Sequence, residues 1–176
     1  MTIPPLPYSE PLRLHQIGNG LQRRLQPDAE ARARIARALD LQSLENLEVD
    51  FDITPTVSGW RMSGRVVADL VQSCGLTLEP LPASVNQVFT INLVEAETRE
   101  PDDGAEIDLE LDDDSPDQIE DGRLDLGQYA VEQLALCLDP FPRKPGAVFE
   151  QPPEPAEISP FDALKALKTR GEAGEG

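Results

Sequence analysis

Apolar and polar residues alternate with a period of two over much of the first hundred positions. Leu47, Val49, Phe51 and Ile53 alternate with Glu48, Asp50, Asp52 and Thr54, the pattern of a strand with one buried and one acidic face. Pro55 ends it, and Ser58 and Gly59 mark a turn. A longer strand follows. Trp60, Met62, Val66, Ala68 and Leu70 lie on one face and Arg61, Arg65, Asp69 and Ser73 on the other, and Gly64 predicts a bulge or bend in its middle. The run "LEPLP" at residues 78–82 breaks the pattern. A third alternating strand then sets Val85, Phe89, Ile91 and Leu93 against Asn86, Thr90 and Asn92. Strands so close in sequence, each with one polar face, predict an antiparallel meander. Nearer the start, Leu12 and Leu14 alternate with Arg13 and His15, predicting a short strand ahead of a turn at Gly18, Asn19 and Gly20.

Two segments change to a helical period. "DAEARARIARALD" (residues 28–40) places Ile35, Ala36 and Leu39 on one face and spreads Arg32, Arg34 and Arg37 around the rest. Pro27, Asp28 and Glu30 suit its start, where a missing N–H costs nothing and acids meet the positive dipole end. Leu126 to Leu138 carries an apolar stripe of Leu126, Ala130, Leu134, Ala135 and Leu138, and Asp125 and Gln128 have capping-box spacing. Pro140 and Pro142 stop it. These elements predict an α+β fold: a twisted antiparallel β-sheet, with scope to curl toward a barrel, and two packed helices. One domain is expected over residues 1–149, followed by a flexible Pro- and Glu-rich tail at 150–176. The tail contains "SPFDALKALK", in which Phe161, Leu164 and Leu167 at helical spacing, beside Lys165 and Lys168, form a short amphipathic hook.

Charge changes the picture most. The formal net charge is −18, which repels phosphate backbones and anionic membranes and attracts basic partners. Residues 95–121 hold 14 acids against one base, Arg99, and are expected to form a solvated loop. Ile107, Leu109 and Leu111 alternate with acids inside it and predict a short edge strand. The densest positive region is Arg23, Arg24, Arg32, Arg34 and Arg37. Its bland reading is an exposed face pairing with the protein's own acids, and its functional reading is contact with RNA phosphates. The Pro-rich opening lacks the apolar core of a leader, and no apolar run approaches the roughly 20 residues of a membrane helix. With two cysteines far apart, Cys74 and Cys137, this leads to the expectation of a reducing cytoplasm and free thiols.

Catalytic chemistry finds little to work with. His15 is the single histidine, so it alone could serve as base for a serine or cysteine nucleophile, and nothing marks a nucleophile elbow. The Gly18–Gly20 turn lacks the later glycine and lysine of a phosphate loop. In "DDGAEIDLELDDD" Gly104 falls too early for a calcium loop. A structural zinc site wants four ligands in close pairs, but Cys74 has Thr77 three residues on, and Cys137 sits by an apolar stripe. Neither a metal nor another cofactor is expected, and the chain is predicted not to be an enzyme.

The order of motifs is familiar. "GWRMSGRVVADLVQSCGLTLEPL", then "VNQVFTINLV", an acidic gap, and "GRLDLGQYAVEQLALCLDPFPRKPGA" resemble the YceD-like family of large ribosomal RNA subunit accumulation proteins. The resemblance runs from about Leu12 to Val148, with the "SPF" tail also seen in some relatives. Many members carry C-x-R-C in the hairpin and further cysteines after the second helix. Here the hairpin reads Cys74, Gly75, Leu76, Thr77, and "RKPGAVF" has no cysteine, so both halves of such a metal site are missing together.

The resemblance implies a bacterial, cytoplasmic factor in synthesis, processing or stability of large-subunit ribosomal RNA. Relatives are often encoded beside a large-subunit ribosomal protein. Charge then points to a basic ribosomal protein, or the assembling large subunit, held by Asp102, Asp103, Glu106, Asp108, Glu110, Asp112, Asp113 and Asp114. The alternatives are direct binding of precursor RNA through the Arg23–Arg37 region, and a metal-dependent RNA-processing enzyme using the carboxylates.

Overall fold

The computed structural model describes residues 6–96 and 115–148 of the 176-residue chain. The elements run β1 (Pro11–Arg13), a 3-10 turn (Leu14–Gln16), β2 (Leu21–Leu25), α1 (Ala29–Ala38), β3 (Ser43–Pro55), β4 (Trp60–Ser73), β5 (Pro80–Glu95), β6 (Asp117–Ile119), β7 (Arg123–Asp125) and α2 (Leu126–Cys137). Five strands form one sheet in the order β2-β3-β4-β5-β6, and β1 pairs β7 in a separate ribbon.

The three strands with period-two patterns are the three long strands. Leu47, Val49 and Ile53 of β3 and Met62, Val66 and Ala68 of β4 are 1% exposed or less, so their shared face is the core. The β3–β4 and β4–β5 pairings are antiparallel. Helix α1 covers β3 with Ala31, Ile35 and Ala36 buried, and starts at Asp28, whose carboxylate accepts from Ala31 N–H at 2.8 Å. Helix α2 covers β4 and β5 with Leu126, Ala130, Val131 and Leu134. Its N-cap Asp125 accepts from Gln128 N–H at 3.1 Å, and also from Glu10 N–H and the Ser9 hydroxyl. The α+β expectation and both helices hold.

Gly64 marks no bulge or bend: the register runs through it unbroken on both sides, and the one irregularity in β3–β4 lies between Leu44 and Asn46. It is instead a point of close approach. A Cβ there would lie 2.3 Å from the Asp50 carbonyl oxygen and 2.5 Å from the Phe89 ring. Phe51, Gly64 and Phe89 are registered neighbours across three strands, and the two rings meet edge to face over the glycine at 5.6 Å.

Several expectations need correction. The sheet stays open rather than curling into a barrel, and it is mixed, because β6 pairs β5 in parallel. His15 lies in the 3-10 turn, not in a strand: pairing with β7 stops at Arg13, and Leu14 N–H bonds to Gly122. "LEPLP" does not separate β4 from the next strand, since Pro80 and Pro82 lie inside β5 and pair with β4. Three short strands escaped the pattern. β2 has only Leu21, Arg23 and Leu25 on its core-facing side, and β6 and β7 are three residues each, too short to show a period. The proposed edge strand at 107–111 and the tail hook lie outside the described residues.

Candidate functional surface

The polar face of the sheet is a ladder of cross-strand pairs. Arg24 on β2 meets Asp50 on β3 in a two-pronged contact, Nε to Oδ1 at 2.6 Å and Nη2 to Oδ2 at 3.0 Å, and its other nitrogen is 3.4 Å from Glu48. Gln22 donates to Asp52 and Gln26 to Glu48. Arg65 on β4 donates to Asn86 on β5 at 2.7 Å, and Ser84 to Asp69 at 2.8 Å. A shallow hollow of about 750 Å³ lies across the four strands, lined by Arg24, Asp50, Asp52, Arg65 and Thr90 of the polar face and also by Arg23 and Phe89. Opposite charges alternate there, so the hollow carries no field of one sign.

The five arginines singled out from the sequence do not converge. Arg23 and Arg24 are adjacent on a strand and so point to opposite faces of the sheet. Arg24 is held by Asp50 and Glu48. On α1, Arg34 pairs with Glu30 at 2.9 Å and also donates to the Pro7 carbonyl; Arg32 donates to the Pro27 carbonyl and Arg37 to that of Ala33. The eight acids from Asp102 to Asp114 lie outside the described residues.

Sequence reasoning missed a junction at the other end of the sheet. The β4–β5 turn, residues 74–79, is strapped down by the chain that leaves α2. Gly75 N–H donates to the Pro142 carbonyl at 2.8 Å, Gln72 to the Asp139 carbonyl at 2.9 Å, and Lys144 N–H to the Cys74 sulfur at 3.4 Å. The Lys144 ammonium meets Glu79 at 2.9 Å. The fold thus puts the hairpin and the strap side by side. Among the described residues no three of His, Cys, Asp or Glu gather as metal ligands.

Cys74 is buried, yet its thiol is held down at a pKa of about 6. The Thr77 hydroxyl contributes most, with one proton to share between this sulfur and Glu79, to which it donates at 3.0 Å; the backbone N–H groups of Lys144, Thr77 and Leu76 follow. Desolvation opposes them and is the weakest influence. Cys137 shows the contrary case: burial pushes its thiol up. Glu79 is lowered by its bonds from Lys144 and Thr77.

A second groove lies between α2 and the outer edge of the sheet. It has about 360 Å³ and is lined by Thr90, Ile91 and Asn92 of β5, Ser115 and Asp117 at the start of β6, and Tyr129, Glu132, Gln133 and Leu136 of α2. Tyr129 donates to Asp117 at 3.1 Å. Burial and the nearby Asp117 raise the pKa of this phenol, keeping it neutral. The lining holds two acids and no base.

His15 is exposed, and among the described residues no helix is long and apolar enough to cross a membrane. No curated protein and no solved structure matches the chain. A family model does match, described as large ribosomal RNA subunit accumulation protein YceD, over residues 62–168. The match spans β4, β5, β6, β7, α2, the strap and part of the tail, more than half of the sequence, and the chain belongs to the YceD family.

Proposed function

We propose that this protein supports the accumulation of large-subunit ribosomal RNA by binding, not by catalysis. Its target is a basic ribosomal protein or the assembling large subunit in the cytoplasm, and its effect on the RNA is indirect. The observation that carries this reading is the charge: −18 overall, with 14 acids against one base in residues 95–121. Such a surface attracts a cationic protein, speeds encounter and weakens with salt. The arginines that would serve an RNA contact are divided between two sheet faces and a helix, and two of them are occupied by the protein's own acids. That arrangement favours protein binding over RNA binding.

The test is capture of partners from a lysate by the tagged full chain, with and without RNase, at low and high salt. The expected result is a basic large-subunit protein, retained after RNase and lost at high salt. Neutralising the eight acids from Asp102 to Asp114 as Asn and Gln should abolish capture. Capture that survives that change, or that disappears with RNase, overturns the reading.

A further inference from the structure

Strand β5 pairs with β4 along its length, from Pro80 to Leu93, but with β6 only at Leu93, Val94 and Glu95. Among the described residues nothing pairs the outer side of residues 80–91. Ala96 N–H donates to the Ile119 carbonyl across the β5–β6 contact. Backbone groups alternate sides along a strand, so Asn92 turns toward the start of β6, and Thr90, Val88 and Asn86 turn their N–H and C=O groups toward the open side. Residues 80–94 carry no charged side chain, in a protein of 27% charged residues. Proteins usually protect such an edge with Lys, a bulge or a cover. Here the prolines stand only at the start, Pro80 and Pro82.

The groove beside α2 runs along this edge. A strand added to β5 would lie about 4.8 Å away, bringing its side chains against Leu136, which is 78% exposed, and between Asp117 and Glu132. The lining has acids and no base, so the fitting segment alternates apolar residues with Lys or Arg.

We propose that the open edge of β5 binds an extended, basic segment of a partner protein by strand addition, with backbone bonds to Asn86, Val88 and Thr90 and cationic side chains at Asp117 and Glu132. This rests on the reading that the partner is a basic protein, and it names the element of the fold that receives it. Main-chain bonds would supply affinity and the groove specificity.

The probe is a short synthetic peptide of alternating lysine and valine, with a glutamate–valine peptide as control. Amide exchange in the full-length chain, resolved by NMR, is the readout. The lysine–valine peptide should slow exchange at Asn86, Val88 and Thr90 by at least about tenfold, and the control should not. Thr90→Pro removes one outward N–H without touching the β4 ladder and should abolish the effect. Glu132→Lys, at an exposed helix position, should weaken it in a protein that folds normally. The proposal is overturned if these amides are already protected in the free chain, whether by its own residues or by a second copy. It is also overturned if the peptide binds without protecting them. Thr90→Pro that still captures the basic ribosomal protein sinks strand addition alone; wild-type protein that captures none sinks the functional reading itself.

Discussion

The two edges of the sheet are built on opposite principles. The β2 edge is five residues long and carries Arg23 and Arg24, with Arg24 clamped to Asp50 and Glu48 and helix α1 following directly. The β5 edge offers a long uncharged strand, closed by β6 at three residues only. The family match begins at Met62, so it takes in the β5 side and leaves out β1, β2, α1 and β3. A short charged edge discourages further pairing, whereas a long neutral one invites it. Among the described residues one edge is short and charged and the other long and neutral, and the proposed strand addition would use that difference.

The sharpest way to break this comparison is at the close packing around Gly64, between the two halves. Gly64→Ala drives a methyl group into the Asp50 carbonyl and the Phe89 ring; we expect a loss of about 3 kcal/mol, measured by urea unfolding. Next comes the core under each helix. Ile35→Ala beneath α1 and Leu134→Ala beneath α2 remove side chains with no exposed surface and should each cost about 2–5 kcal/mol. If the halves form one cooperative unit, both variants keep a single unfolding transition; two transitions would show that the edges belong to separable parts. Asp125→Ala loses the α2 cap together with the bonds from Ser9 and Glu10. It should cost about 1–2 kcal/mol and exceed Asp28→Ala on α1, which forfeits a cap alone.

Smaller effects separate the strapped turn from the charged edge. The thiol of Cys74 is lower in the folded state than in the unfolded chain, so the folded form binds fewer protons between the two values. Its contribution is complete above the unfolded thiol pKa, near 8.5, and is lost as pH falls through about 6. Unfolding free energies of wild type and Cys74→Ala should diverge most above pH 8 and converge below 6; parallel curves would refute the donor cradle. Least of all, Arg24→Gln should barely change stability, because exposed ion pairs contribute little and are screened by salt. A large loss there would mean that the β2 edge depends on its charges after all.

Much of this was legible from residue order. The alternation in β3, β4 and β5 is long enough that a single register turns most of their apolar residues to one face, so those strands and their faces could be read directly. Asp125 and Gln128 announced the α2 cap, whereas Gly64 marked a tight approach between strands and not the bulge or bend expected of it. β2, β6 and β7 could not be read, because three to five residues do not establish a period. For the site, the sequence gathered Arg23 to Arg37 by proximity along the chain, and the fold separated them, since adjacent strand residues face opposite ways and helix residues fan around an axis.

The sequence by itself determined the fold class and the sign of the charge, because these depend on local periodicity and composition, and its order of motifs carried the family resemblance. Tertiary structure alone decided that Cys74 meets Lys144 across 70 positions, that β6 runs parallel and stops after three residues, and that α2 lies along an open edge to make an acidic groove. Those are contacts between distant segments, set by how the core closes, and no local pattern encodes them.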